Sequence, residues 1–492
     1  MDKKLLAFDL GAESGRGVLG RFDGQCLKLE VIHRFANGPV RTLDTLHWDV
    51  LRLYTEMLTA LRRSAADHGG IDSLGVDTWG VDFALLGHDG TLLGNPRHYR
   101  DPHTEGVMEA AFARLARQEI FRQTGLQFLR FNTLFQLLAL QGAGSPLLPA
   151  AHTLLMMPDL FHYFFTGVRV NEFTNASTTQ MVDPATKGWA KQLLQAFGLP
   201  EQILGPIVAP GTVLGPLLPS VAAETGLNDV AVIAPATHDT GAAVAAVPAQ
   251  HRSWAYISSG TWSLMGAELD GPLINEPALR YNCTNEGGVG GTIRFLKNIM
   301  GLWLVQECRR AWQRARHDYT YEELARMAEG APAFRSLVDP DDPMFILPQS
   351  MPVALADFCR RTGQPEPTEP GALIRCALES LALRYRWVLD RLEELLGRRL
   401  EVIHIVGGGS QNALLCQFAA DACNRLVLAG PVEATAIGNV LVQAIGLGLL
   451  SSLREARQVV CRSFEVRAYD PKDPERWQGP YDRFLGYLAP GI

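Results

Sequence analysis

LLAFDLGAESGRGVLG (residues 5–20) and SWAYISSGTWSLMG (residues 253–266) are built alike. Each is a β-rich apolar run, a tight turn of glycine with serine or threonine, and a second apolar run. Such a turn offers backbone N–H groups and small hydroxyls to anionic oxygens, because nothing bulkier than Cβ blocks the approach. Two of them, about 250 residues apart, imply a duplicated fold whose halves close on one nucleotide from opposite sides. Either alone says little; the pair points to an ATP-dependent phosphotransferase.

The 492 residues exceed what one hydrophobic core organises. Two large α/β domains are expected, 1–247 and 248–492, meeting near Val247-Pro248-Ala249. A net charge of -7 argues against a nucleic-acid partner, which needs a basic surface. The stretch Ile437–Leu450 is broken by Asn439, Gln443, Gly446 and Gly448, and reads as a buried helix rather than a membrane span. MDKKLLAFDL is no signal peptide, since Asp9 interrupts its apolar run. The 8 cysteines form no CxxC and no zinc spacing, as in a reduced, cytoplasmic protein. Spacing does not establish a bridge between Cys359 and Cys376. The motifs leave the oligomeric state, monomer or dimer, open.

Asp23-Gly24 and Asp89-Gly90 read as hairpin turns, and residues 73–94 as a third strand–turn–strand unit. Val50–His68 carries a helical apolar stripe, residues 105–166 are mostly helical, and a long amphipathic helix is predicted over 371–396. DVAVIAPATHDTGAAVAA (229–246) is a buried strand that delivers His238-Asp239-Thr240 to a helix start, and EVIHIVGGGSQNALLCQFAADA (401–422) is strand, triple glycine and helix. Both orders aim a helix N-terminus at whatever binds there.

In DLGAESGR, Asp9 ends a strand and Arg16 follows a glycine turn, where a guanidinium can meet a phosphoryl group; an ordinary hairpin with a surface ion pair would read the same. In THDTG (237–241), Asp239 stands where open α/β sheets place their active-site crevice, as a base for a hydroxyl or as a plain helix cap. SSGTW (258–262) and GGGSQN (407–412) are further nucleotide candidates, although GGG also serves a close strand–helix contact. The chain has no Gly-Lys doublet, hence no P-loop, and neither HRD, DFG nor GxSxG. GRGVLG (15–20) matches GxGxxG but opens a strand, so it is no dinucleotide fingerprint.

Taken together, DLGAESGR, SSGTWS, GGGSQN and THDTG resemble the FGGY carbohydrate kinases of the actin/hexokinase superfamily. DTWGVDFALL, RHYRD, FNTLFQL, NASTTQ, LKNIMGLWLVQ and AGPVEATAIGN are similar, in order, to one ketose-specific branch of that family, so the likeness runs nearly end to end. It implies two related ribonuclease-H-like domains with ATP, Mg²⁺ and a sugar in the cleft between them. By the resemblance Asp239 is the catalytic base, and Gly80, His238, Thr240 and Asn298 contact the sugar with it. Ala12, Glu13, Ser14, Gly15 and Arg16 line the ATP phosphates, Thr261 faces them, Gln306 and Gly408 follow the nucleotide, and Asp9 holds Mg²⁺ through water. Three departures stand out. Ala12 replaces a common hydroxyl residue, Glu13 brings negative charge near the phosphates, and Tyr99-Arg100-Asp101 replaces a WxD pattern on the sugar side. A sister kinase for another ketose or polyol, and a non-catalytic nucleotide sensor, are the other readings.

Overall fold

The structure, a computed structural model, describes residues 2–250 and 253–488. Its first sheet is organised by Lys3–Leu10 (β1), buried from Leu5 to Leu10, the continuous apolar run that a central strand needs. β1 turns back as Ser14–Phe22 (β2), and Asp23-Gly24, with Gly24 at φ 98°, leads into Leu27–Ala36 (β3). The helix Val50–His68 (α1) then crosses to Ser73–Thr78 (β4), which lies parallel to β1. Thr212–Pro216 (β5) and Ala231–Ala234 (β6) complete a sheet of order β5-β6-β4-β1-β2-β3. The helix Asp239–Ala245 (α2) follows β6.

The second sheet repeats the plan. Trp254–Ser259 (β7) and Trp262–Leu269 (β8) form the matching hairpin, beside Thr284–Gly287 (β9) and Ile293–Met300 (β10). Then come the helices Trp303–Arg314 (α3) and Pro370–Leu396 (α4) and the strand Val402–Val406 (β11). Ala413–Cys423 (α5), Leu426–Ala429 (β12), Ala434–Gly446 (α6) and Arg467–Tyr469 (β13) follow. The order is β9-β10-β8-β7-β11-β12-β13. In both sheets three antiparallel strands adjoin two parallel ones and an antiparallel edge; β9 is extra.

The halves meet through equivalent helices. α2 follows β6 as α6 follows β12, and the two cross so closely that a Cβ on Gly438 would stand 1.8 Å from the Ala242 carbonyl oxygen. α6 also sends a polar ladder beneath the first sheet. Ser73 Oγ donates to Gln443 Oε1 (2.7 Å), Gln443 Nε2 to Asn439 Oδ1 (2.7 Å), and Asn439 Nδ2 to Asp77 Oδ2 (2.5 Å).

Residues 73–94 are not one hairpin. β4 already has parallel neighbours on both sides, so Phe83–Leu86 leaves for another layer and pairs with Thr153–Met156. That latter strand interrupts the helical region 105–166. All eight cysteines are free thiols, and among the described residues no helix is long and apolar enough to cross a membrane.

Candidate active site

A cavity of about 280 Å³ opens where the two sheets face each other. Ala12, Gly80, His238, Asp239, Thr240, Thr261, Asn298 and Gly408 all line it, although they come from six separate stretches of chain. Asp9, Glu13, Ser14, Gly15, Arg16 and Gln306 stand outside that lining.

The THDT turn is held from behind by a residue that sequence reasoning missed. Glu172 is fully buried and accepts four hydrogen bonds: from Thr174 N (2.9 Å) and Oγ1 (2.5 Å), and from Thr237 N (3.0 Å) and Oγ1 (2.7 Å). Thr174 Oγ1 in turn accepts from His238 N at 3.1 Å. The N-cap of α2 is His238, and Asp239 is the first helical residue, so the plain capping role is not the one it plays. Asp239 Oδ1 accepts from Thr240 N (2.5 Å) and Thr240 Oγ1 (3.1 Å), and among the described residues no donor reaches Oδ2. The side chain keeps 33% of its surface open to the cleft. Burial, with the negative charge of Asp9 adding to it, raises its pKa, which makes the carboxylate a better proton acceptor.

On the sugar-side wall expected from the sequence, Asn298 N and Nδ2 donate to Gln127 Oε1 at 2.9 and 3.2 Å. A Cβ on Gly80 would stand 2.9 Å from the Thr178 side chain, so packing alone demands glycine there. Trp79, Tyr99, Phe131 and Trp262 supply aromatic walls. Of the WxD-like stretch, Tyr99 lines the cavity, whereas Arg100 crosses to the second half: its guanidinium lies 4.0 Å from the Trp303 ring centre and donates to the Ile346 carbonyl at 2.8 Å.

Asp82 anchors this wall. Its carboxyl accepts from Trp48 Nε1 (2.6 Å), Trp79 Nε1 (3.0 Å), Tyr99 N (3.2 Å) and Gln136 Nε2 (3.0 Å), yet burial pushes its pKa up to about 7. A carboxyl raised on folding contributes stability in full below its unfolded pKa and loses it as pH rises through the folded value. The free energy of unfolding of Asp82→Asn is therefore expected to decline less than that of the wild type between pH 4 and 8. Urea titrations at a series of pH values check this, and parallel curves would refute the assignment.

The opposing hairpins divide their glycines by task. A Cβ on Gly15 would stand 2.2 Å from the Phe35 ring, so this glycine serves packing rather than ligand approach. Gly407 sits at φ 84°, and a Cβ on Gly409 would meet Ser259 Oγ at 2.0 Å, whereas Gly408 has open space where its side chain would be. Gly407 and Gly409 thus serve close packing against Ser259, while Gly408 stays open in the cavity lining. Arg16 pairs with Asp9 and with Glu433 at the head of α6, while Glu13 is neutralised by Arg310 of α3. The α3 N-terminus, one turn before Gln306, rests on the second hairpin: Leu302 N donates to Gly260 O (3.1 Å) and Trp303 N to Thr261 O (3.1 Å).

Asp9, Asp77 and Asp239 bring three carboxyl groups to this part of the cleft. Burial and the Asp9 charge hold Asp77 well above its ordinary pKa, and its Oδ1 has no hydrogen-bond partner. Among the described residues no three ligating side chains converge for direct chelation. This donor set fits a divalent cation that keeps its waters, as Mg²⁺ does.

Two copies of one sheet topology, with Gly-Ser/Thr hairpins facing a carboxylate across a cleft, define the actin/hexokinase class of two-domain kinases. Solved structures agree on that fold. Gluconate kinase from Lactobacillus acidophilus superposes with a TM-score of 0.80 at 17% identity, covering 99% of this chain and 97% of that one. Plasmodium falciparum glycerol kinase with ADP gives 0.77 at 15%, covering 99% and 98%. Residues 5–246 match the N-terminal domain, and residues 255–447 the C-terminal domain, of the FGGY family of carbohydrate kinases. The chain belongs to that family. A rhamnulokinase of Bacteroides thetaiotaomicron is 48% identical over 484 residues, 98% of this chain and 99% of the relative. One of Pectobacterium carotovorum is 45% identical over 493 residues, covering 99% and 97%.

Proposed function

We propose that this chain transfers the γ-phosphoryl group of ATP to the C1 hydroxyl of L-rhamnulose, giving L-rhamnulose 1-phosphate and ADP. Full-length identity of 48% and 45% to rhamnulokinases carries the choice of sugar. Asp239, with Oδ2 free and its pKa raised, carries the choice of base. The ketose sits against Gly80, His238, Thr240 and Asn298. Asp239 Oδ2 takes the hydroxyl proton as the sugar oxygen bonds to the γ-phosphorus and the bond to the β–γ bridging oxygen breaks. Transfer of this kind has a loose transition state, so alignment and charge neutralisation do most of the work.

Ala12 to Arg16 and Thr261 approach the phosphates from opposite sides, with Gly408 and Gln306 along the nucleotide. Arg16 exchanges its carboxylate partners for phosphate oxygens, and the pairing of Glu13 with Arg310 explains how an acidic residue is tolerated there. Asp9 would hold the Mg²⁺ that accompanies the nucleotide through water, and the ion would supply neutralisation of phosphate charge. Closure of the halves 1–247 and 248–492 keeps water from competing with the sugar. A cytoplasmic setting suits such a use of ATP.

ADP release measured with Mg²⁺-ATP across L-rhamnulose, L-fuculose, D-xylulose, D-ribulose and glycerol tests the reading. A kcat/KM at least about tenfold higher for L-rhamnulose, some 1.4 kcal/mol in transition-state binding, is expected. Preference for another sugar would reject L-rhamnulose as the substrate.

A further inference from the structure

Arg294 lies in β10, fully buried, and reaches His238 from the opposite half of the chain. Its Nε donates to the Gly287 carbonyl at 2.7 Å, its NH2 group stands 3.1 Å from His238 Nδ1, and its NH1 group stands 3.2 Å from Glu286 Oε2. Glu286 Oε2 is also 3.3 Å from His238 Nδ1, but it makes no geometrically sound hydrogen bond. Burial alone would raise the Glu286 carboxyl; the Arg294 charge together with the His238 and Asn298 contacts brings it below its ordinary value, and Glu286 serves as the arginine's counter-ion.

A guanidinium carries only donors and does not lose its charge inside a protein. Facing NH2, His238 Nδ1 has to accept. The proton of a neutral imidazole is then on Nε2, and Nε2 stands 3.3 Å from Asp239 Oδ1. That same Oδ1 already receives Thr240 N and Oγ1, whereas Oδ2 receives no donor among the described residues. Two hydrogen bonds from Thr240, with the His238 Nε2–H in close electrostatic reach, therefore steady one carboxylate oxygen and leave the other bare toward the cleft. Arg294 does not line the cavity, so whatever it does for the reaction passes through the two lining residues it touches, His238 and Glu286.

We propose that Arg294 is a positioning residue that holds His238 in the Nε2–H tautomer, so that the imidazole steadies Oδ1 of Asp239 and reserves Oδ2 for the substrate hydroxyl. The inference rests on Asp239 being the base. Because Arg294 stands on β10 and His238 precedes α2, the base is fully supported only while the two halves are docked together.

The test combines ¹⁵N NMR of histidine-labelled protein, with His238 assigned through His238→Asn, and steady-state kinetics on L-rhamnulose. The wild type should show an unprotonated Nδ1 and a protonated Nε2. Arg294→Gln offers an amide that can donate or accept, so its His238 should show mixed tautomers. Its kcat should fall about ten- to a hundredfold, with both KM values within about threefold of wild type. His238→Asn/Arg294→Gln should turn over no more slowly than His238→Asn alone, because both changes break one chain of contacts. If Arg294→Gln does not fold, Glu286→Gln/Arg294→Gln removes the pair without stranding a charge and should give the same two readouts. A protonated Nδ1 in the wild type, a kcat within twofold, or multiplicative losses in the double variant would each overturn the proposal. An active Asp239→Asn would instead overturn the underlying reading of the base, and the tautomer measurement tells the two failures apart.

Discussion

Replacing Asp239 with asparagine is expected to leave a folded protein that binds both substrates and turns over about 10²–10⁴-fold more slowly, the usual worth of a positioned general base. The asparagine oxygen can still accept from Thr240 N and Oγ1, the partners of Oδ1. The start of α2 therefore keeps its local bonds. What changes is the oxygen turned to the cleft, which becomes an NH2 group that donates and cannot take the proton. The loss should fall on kcat, with a smaller rise in the KM for sugar and little change for ATP. ADP-release kinetics beside a thermal melt would check this. A well-folded variant with near wild-type kcat would remove Asp239 from the role of base.

Glu172→Ala should cost the most in stability, about 3–5 kcal/mol. The substitution strands four buried donors, Thr174 N and Oγ1 and Thr237 N and Oγ1, in a place where Glu172 is 0% exposed. Each unpaired buried donor costs roughly 1–3 kcal/mol, and partial relaxation keeps the sum below four times that. Because the same bonds fix the turn before His238 and Asp239, turnover should fall about tenfold even at temperatures where the variant stays folded. Denaturant midpoints together with kcat measure both effects. A wild-type midpoint would show that the THDT turn needs no anchor from Glu172.

Much of the fold was legible because it is written in short-range patterns. The helix over Val50–His68, the long one beginning near 371, and the buried one near 437 follow from apolar spacing. The paired hairpins follow from their turns. The reading failed at residues 73–94, where local alternation suggested a hairpin. Pairing there was decided by β1 and β6, which occupy both edges of β4 from distant parts of the chain.

The candidate site divided in the same way. Gly80, His238, Asp239, Thr240, Thr261, Asn298 and Gly408 could be picked out because each stands in a turn or strand with a recognisable local form, and all seven reach one cavity. Glu172, Glu286 and Arg294 carry no such mark. Each is a charged residue within a strand, and nothing within ten residues of Arg294 announces a histidine 56 positions away.

The sequence by itself determined that two related α/β units each bring a Gly-Ser/Thr hairpin, and that one carries an aspartate at a strand's end before a helix. Turn chemistry and hydrophobic period are local properties of the chain. Only the tertiary structure decided what surrounds that aspartate, because burial and charge pairing depend on what distant segments bring within about 4 Å. Glu172 beneath the turn, Arg294 and Glu286 against His238, and the charge of Asp9 near Asp239 together set which oxygen of the carboxylate is free and how strongly it holds a proton.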